Sequence, residues 1–299
     1  MKTMIPVLQH RIWGGDLLPD LFPEVPPVMR PVGEAWLLSD HPTARTLDAE
    51  GRTLTELAPN RPWFPVLIKL LHAESDLSVQ VHPNDEQAKA IGDFGKSEGW
   101  LILAAAPGAR ICHGHTAATS RDLKDAIETG QLESQLRYAE VKPGDYYPVP
   151  PGTVHALGAG ILALEVQQSS DTTYRLYDYN RPDAMGKLRA LHIDEAIGVT
   201  SFPQPPLPDQ SRYASGAPSG RIVYDDNRYF TLSTVTVSEL HEEPPRPGRL
   251  LCSILLDGDV APESLQTPPQ QYATWLFEEG ETAQFRGAGR VALVSIVID

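Results

Sequence analysis

The chain has 299 residues, with 25 Lys and Arg against 39 Asp and Glu, a formal charge of −14. That balance excludes a nucleic acid or an anionic membrane held by bulk charge, because binding such surfaces needs an excess of Lys and Arg. A small anionic ligand needs only a few local cations and stays open.

Apolar residues make up 41% of the chain, enough to bury a sizeable core. Its 28 prolines exceed a usual share of about 5%. Frequent Pro and Gly in so apolar a chain point to short strands separated by turns. Cys112 and Cys252 stand outside any CxxC pattern, so neither a disulfide framework nor a thiolate metal site is expected, and a reducing cytoplasm is the expected compartment. The N-terminal MKTMIPVLQHRIWGG has no continuous apolar segment, and no run of about 18 apolar residues occurs; a soluble, non-secreted protein is expected.

In chain order, FPVLIKLL (64–71), LSVQVH (77–82), GWLILAAA (99–106), DYYPVP (145–150) and ILALEVQ (161–167) read as strands bounded by Gly, Pro or Asp. A short helix is expected after Asn84-Asp85, through Ala88 to Ile91. A longer one is expected over 120–139, with Ser120 as cap, a Leu123, Ala126, Ile127 stripe and Gly130 as interruption. Residues 202–218 carry five prolines and small polar residues, which marks a linker. Beyond it, YFTLSTVTV (229–237), RLLCSILL (249–256), YATWLF (272–277) and RVALVSIVI (290–298) again read as strands. The economical fold is mainly β, two antiparallel sandwich or barrel units with helices decorating the first.

Several polar residues interrupt these apolar runs. In LSVQVH the period-two alternation puts Leu77, Val79 and Val81 on one face and Ser78, Gln80 and His82 on the other. That polar face either meets water or presents Gln80 and His82 to a metal. In ILALEVQ, Leu162, Leu164 and Val166 face one way. Glu165 and Gln167 face the other beside Ile161 and Ala163, where a carboxylate is a candidate for a raised pKa and for general-base work. Lys69 sits between apolar neighbours and needs a partner or ligand if buried. Lys96 and Glu98, in GKSEGW, would by themselves pass for an exposed turn. Gly144 to His155 follows the spacing G-x5-P-x-G-x2-H: a turn, a strand, a Pro-Gly turn and a His on the next strand. Ser169 to Arg181 is a polar, aromatic and basic segment whose Arg175 and Arg181 can offer forked donors to phosphate, or pair with Asp171 and Asp178.

The G-x5-P-x-G-x2-H spacing matches the second motif of the cupin superfamily, whose final His binds metal at the mouth of a small barrel. Seven segments in order resemble type I mannose-6-phosphate isomerase (phosphomannose isomerase), in its compact bacterial form. They are Arg11-Ile-Trp13-Gly-Gly15, Gly33-Glu34-Ala-Trp36, the Lys69 strand, LSVQVHP, GKSEGW, PPGTVHALG and QQSSDTTYRLYDYNR. The match runs over roughly residues 5–200.

The resemblance implies a cupin-type jelly-roll catalytic domain over 1–205, a linker over 206–218 and a smaller C-terminal β-sandwich over 219–299. It implies one Zn2+ held by Gln80, His82, Glu98 and His155, a set with one anionic ligand that leaves the ion Lewis-acidic. The implied reaction is reversible isomerisation of mannose 6-phosphate and fructose 6-phosphate through a cis-enediol. Lys96 would serve as electrophile, Arg175 as anchor and enediolate stabiliser, and Glu165 as base. Trp13, Glu34, Lys69, Ser78 and Arg181 take substrate-binding positions. His113 and His115 fall outside the ligand positions. The partner is a small phosphosugar, with no nucleic acid or membrane, and the chain is a monomer or homodimer. Two alternatives stand beside this reading: an iron-dependent cupin oxygenase, which the amide of Gln80 opposes, and a catalytically silent sugar-phosphate-binding cupin.

Overall fold

The computed structural model describes residues 1–57, 64–183, 185–213, 220–265 and 267–298. Strands dominate, and every ladder between them is antiparallel among the described residues. A six-stranded sheet runs Tyr146–Val149, Glu98–Ala105, Ile161–Gln168, Val66–Ala73, Val32–Leu38, Val7–Gly15. A five-stranded sheet runs Tyr174–Tyr177, Val79–Val81, His155–Leu157, Arg110–His115, Leu136–Glu140. The two face each other as an open jelly-roll barrel and stay separate sheets rather than closing.

The middle strands of the six-stranded sheet are buried on both faces, which explains their near-continuous apolar character. Their back face carries Ile68, Leu70, Leu164 and Val166 into one core with Leu232, Ile254 and Val294 of a seven-stranded sheet. Their front face packs Leu71, Ile161 and Ala163 against Ile111 and Leu157 of the five-stranded sheet. That sheet's outer side, with Val79, Val81 and Ala156, is covered by Leu123 of helix Ser120–Glu128 and Ala196 of helix Ile193–Val199.

The seven-stranded sheet and a three-stranded one enclose a further core around Trp275, Phe285 and Val291. All four strands expected after the linker belong to the seven-stranded sheet, as Phe230–Val237, Arg249–Gly258, Thr274–Phe277 and Gly289–Val297. So does the N-terminal strand Lys2–Ile5, which pairs with Thr274–Phe277. The chain thus begins in the C-terminal sheet before entering the barrel.

The expected linker is largely exposed where it is described but is anchored at points. Gln210 bonds both the N–H and the carbonyl of Tyr146 at 2.9 Å, and Tyr213 lies edge-on to Tyr146. Residues 214–218 of it lie outside the described residues.

The helix after Asn84 forms as Asp85–Ala88 and continues as a 3-10 turn through Ile91, with Asn84 and Gln87 closing a capping box. The helix expected over 120–139 is shorter. It spans Ser120–Glu128, Gly130 interrupts it with a left-handed φ of 69°, one more turn follows at Leu132–Gln135, and 136–140 becomes a strand. Its cap is Thr119 rather than Ser120, because Thr119 and Asp122 bond each other's backbone reciprocally.

Candidate active site

Antiparallel register places opposed residues on the same face. In the six-stranded sheet Trp36 lies opposite Lys69, Lys69 opposite Glu165, and Glu165 opposite Trp100. In the five-stranded sheet Arg175 lies opposite Gln80, Gln80 opposite His155, and His155 opposite His113. Lys69 and Glu165 of the first row and Gln80 and Arg175 of the second line a cavity of about 450 Å³ between the sheets. Trp13, Glu34, Lys69, Ser78 and Glu165 line it, as do Gln80, Lys96 and Arg175. The alternation read for Ser78 and Gln80 is therefore inward-facing. Leu77 departs from it, lying before the strand and joining the barrel-interior cluster instead of the outer one with Val79 and Val81.

Three expected ligands converge. Donor atoms of His82, Glu98 and His155 all lie within 4.8 Å of one another and are buried. The Nδ1 of His82 bonds the Thr172 carbonyl at 2.9 Å, and that of His155 the Thr153 carbonyl at 2.8 Å. Each ring thereby keeps its proton on Nδ1 and turns the Nε2 lone pair toward Glu98, at 3.5 and 3.3 Å. Among the described residues Glu98 Oε1 is buried without a hydrogen-bond donor. The Gln80 amide reaches His155 Nε2 at 3.3 Å, and rotating it presents its carbonyl oxygen to the same point. Two imidazole lone pairs, a carboxylate and an amide aimed at one small volume form a donor set that fits a cation. The Lys96 ammonium stands beside it, 3.0 Å from His82 and 2.5 Å from Glu98. His113 and His115 are not in this cluster: His113 bonds the Pro148 carbonyl and His115 packs against Phe202.

Burial is the largest influence on both ligand imidazoles. With Lys96 nearby it holds His82 well below the usual imidazole range and His155 down to about 3, so both stay neutral, the form that binds metal. Burial likewise lifts Glu98 to about 7 against the pull of Lys96. A raised carboxyl pKa was expected at Glu165, and there the opposite holds. Burial there is outweighed by Lys69 at 3.0 Å, by Lys96 and by the Trp100 indole at 2.9 Å, which bring Glu165 down to about 2. Lys69, held also by Gln167 at 2.6 Å, is pushed up from its ordinary value against its own burial by Glu165 and Glu34. Every buried charge in this wall therefore has its partner.

The arginines divide. Arg175 lines the cavity, donates to Ser78 at 3.2 Å and to the Ala190 carbonyl at 2.8 Å, and lies close enough to Arg189 that burial and Arg189 lower its pKa. Arg181 is not brought into the lining. It bonds Ser75 at 2.9 Å and Asp178 at 3.0 Å, and Asp178 in turn grips Arg189.

Two lining cations had no role in the sequence reading. One is Arg189, held by Asp178 at 2.7 Å. Arg11 makes a two-point bond to Glu34 at 2.9 Å on both arms, while the Trp36 indole donates to the same carboxylate at 2.7 Å. Arg11 stands two residues before Trp13, so strand alternation is the signal that would have found it.

A family model described as phosphomannose isomerase type I, catalytic domain, matches residues 1–99. The mannose-6-phosphate isomerase ManA of Bacillus subtilis strain 168 is 46% identical over 216 residues, covering 67% of this chain and 68% of the relative. The probable mannose-6-phosphate isomerase GmuF of the same strain is 38% identical over 265 residues, covering 84% of each. A crystal structure of the mannose 6-phosphate isomerase from Bacillus subtilis superposes with a TM-score of 0.88 at 31% identity, over 99% of both chains.

Proposed function

Because the chain belongs to the type I phosphomannose isomerase family, we propose that it interconverts mannose 6-phosphate and fructose 6-phosphate through a cis-enediol, with Zn2+ held by Gln80, His82, Glu98 and His155. The observation that carries the reading is the convergence of those donors beside the cavity that Lys96, Glu165 and Arg175 also line. A zinc ion bound there would supply Lewis acidity toward the sugar's carbonyl and hydroxyl oxygens.

The chain's own residues do the rest. Lys96 offers its ammonium to the oxygen that gains charge as the enediol forms. Arg175 stabilises the enediolate and, with Arg189, binds the phosphate from the five-stranded sheet side. Arg181 braces that pair by fixing Asp178, and anchoring the remote phosphate orients the reacting end. Glu165, ionised above about pH 2, accepts the C2 proton and returns it at C1. Its basicity is restrained while Lys69 and Trp100 hold it, so substrate hydroxyls must compete for those two donors. Trp13, Glu34, Lys69 and Ser78 fix the sugar's orientation. The proposal keeps two units, a catalytic barrel over 1–205 and a β-domain over 219–299, with Lys2–Ile5 reaching across to the second.

The test is coupled conversion of mannose 6-phosphate before chelation, after it, and after zinc is restored. Activity lost and regained supports the reading. Full activity without bound metal overturns its zinc half, and no turnover in any state overturns the reaction.

A further inference from the structure

A polar link between the C-terminal sheet and the barrel runs to the backbone that carries two site residues. The hairpin joining Arg221–Asp226 to Phe230–Val237 is braced by Asn227, whose side-chain oxygen accepts the N–H groups of Tyr229 and Phe230 at 2.8 and 3.0 Å. From this turn the Tyr229 hydroxyl donates to Asp85 Oδ2 at 2.7 Å, and the Arg228 guanidinium bonds the same oxygen.

Asp85's other oxygen accepts the Gly95 N–H at 3.0 Å and the Gln168 side-chain amide at 2.9 Å. Gln168 then brackets Ser97. Its side-chain carbonyl accepts the Ser97 N–H at 2.9 Å, and its own N–H donates to the Ser97 carbonyl at 3.0 Å. Ser97 lies between Lys96 and Glu98. Gly95 is required by this closeness, since a Cβ there would stand 2.5 Å from the Asp85 nitrogen and 2.7 Å from its carboxylate. The same short segment ends at Asp93, which bonds the Ser170 and Thr172 hydroxyls. Thr172 supplies the carbonyl that orients His82.

We propose that Tyr229 and Arg228 of the C-terminal sheet are positioning residues for the metal centre, acting through Asp85 and Gln168 on the backbone that presents Lys96 and Glu98. The acceptor capacity of Asp85 is fully used by four donors from three separate parts of the chain, so releasing one frees a join rather than a surface contact. The proposal rests on the metal-dependent isomerase reading above, and the experiment is chosen so that the two can fail separately.

Tyr229→Phe keeps the ring and removes the hydroxyl. Its control is Gln270→Ala, which removes another bond from the C-terminal part of the chain to the barrel side, the Gln270 amide donating to the Leu21 carbonyl on the helix Leu17–Leu21, none of whose residues lines the cavity. For each, the zinc dissociation constant is measured by competition with a fluorescent chelator. The kcat and KM for mannose 6-phosphate and the unfolding midpoint are measured alongside.

Tyr229→Phe is expected to weaken zinc binding and lower kcat about fivefold, the worth of one hydrogen bond. KM should move by less than about twofold, since substrate groups are untouched. Asp85→Asn, which removes the charge that four donors share, is expected to cost about 10-fold in either quantity, the worth of one hydrogen bond to a charged group. Gln270→Ala should lower only the midpoint. If Tyr229→Phe matches Gln270→Ala, with unchanged zinc affinity and kcat and only a lower midpoint, the relay is mere adhesion between the two parts and the proposal is overturned. If the chain turns over no mannose 6-phosphate at all, the zinc constants still decide: equal values for wild type and Tyr229→Phe reject positioning, and unequal values support it.

Discussion

The two faces of the six-stranded sheet come from the same strands and do opposite work. On strand Val66–Ala73, Ile68 and Leu70 enter the core shared with the C-terminal sheet, whereas Lys69 between them meets Glu165 inside the barrel. On Ile161–Gln168, Leu164 and Val166 take the apolar side and Glu165 and Gln167 the polar one. The back face gains stability from area removed from water. The front face holds several charges in a dry site and is tolerated only because each is paired. One residue of register separates the two functions, which makes the contrast easy to break experimentally.

The sharpest break is at the proposed metal site. His155→Ala removes a donor whose ring is already oriented by the Thr153 carbonyl, and it should abolish zinc retention and lower kcat by about 10²–10³-fold or more. Metal analysis after gel filtration, with the coupled assay, checks it. Near-normal kcat would take His155 off the ligand set.

Next in size is Lys69→Met, which leaves the Glu165 carboxylate buried beside an apolar chain. Breaking a buried pair from one side costs about 3–5 kcal/mol, and here it should also raise the Glu165 pKa and depress kcat. Denaturant unfolding and the pH profile of kcat read the two effects. Its counterpart on the back face, Leu164→Ala, should cost about 2–5 kcal/mol of stability, as large-to-small core changes do, while kcat at a temperature where the protein stays folded is unchanged. A comparable fall in kcat from Leu164→Ala would show that the faces are not separable.

How much of this was legible beforehand follows from the range of each signal. Period-two alternation is local, so the shared faces of Ser78 with Gln80 and of Glu165 with Gln167 could be read directly, as could the Pro-Gly turn that delivers His155, whereas whether the Ser78 face met water or turned inward could not. The convergence of Glu98 on that His could not, because residues 95–98 resemble a charged turn until Gln168 and Asp85 are seen to hold them. Glu165 was misjudged for a related reason. An apolar flank argues for a raised pKa, and the cations that reverse it, Lys69 and Lys96, arrive from two other strands. Arg189 gave no local hint of entering the cavity, and Lys2–Ile5 gave none of joining a sheet built from the far end of the chain. Long-range partners decided both.

The smallest predicted effect is one of pH on the metal-free protein, and it belongs to the front face alone. His82 and His155 have folded pKa values below the ordinary 6.5, His155 at about 3. Between those limits the unfolded chain takes up protons that the folded one refuses, so their contribution to stability is present above about pH 6.5 and is lost as pH falls toward 3. Glu165, lowered from 4.5 to about 2, adds a further loss below pH 4.5. Glu98 works the other way. Raised to about 7, it is protonated in the folded state before the unfolded one, which favours folding as pH falls from 7 toward 4.5. Near neutrality these contributions oppose each other, so the unfolding midpoint should change little between pH 7 and 6. Below 6 the two imidazoles outweigh the single carboxyl and the midpoint should drop. Zinc should steepen that drop, since protons then compete with the ion for both rings. Thermal unfolding of the chelated and zinc-loaded protein across pH 7 to 4.5 measures this. Leu164→Ala should lower the whole curve without changing its shape, because the side chain it trims is apolar and carries no charge to titrate.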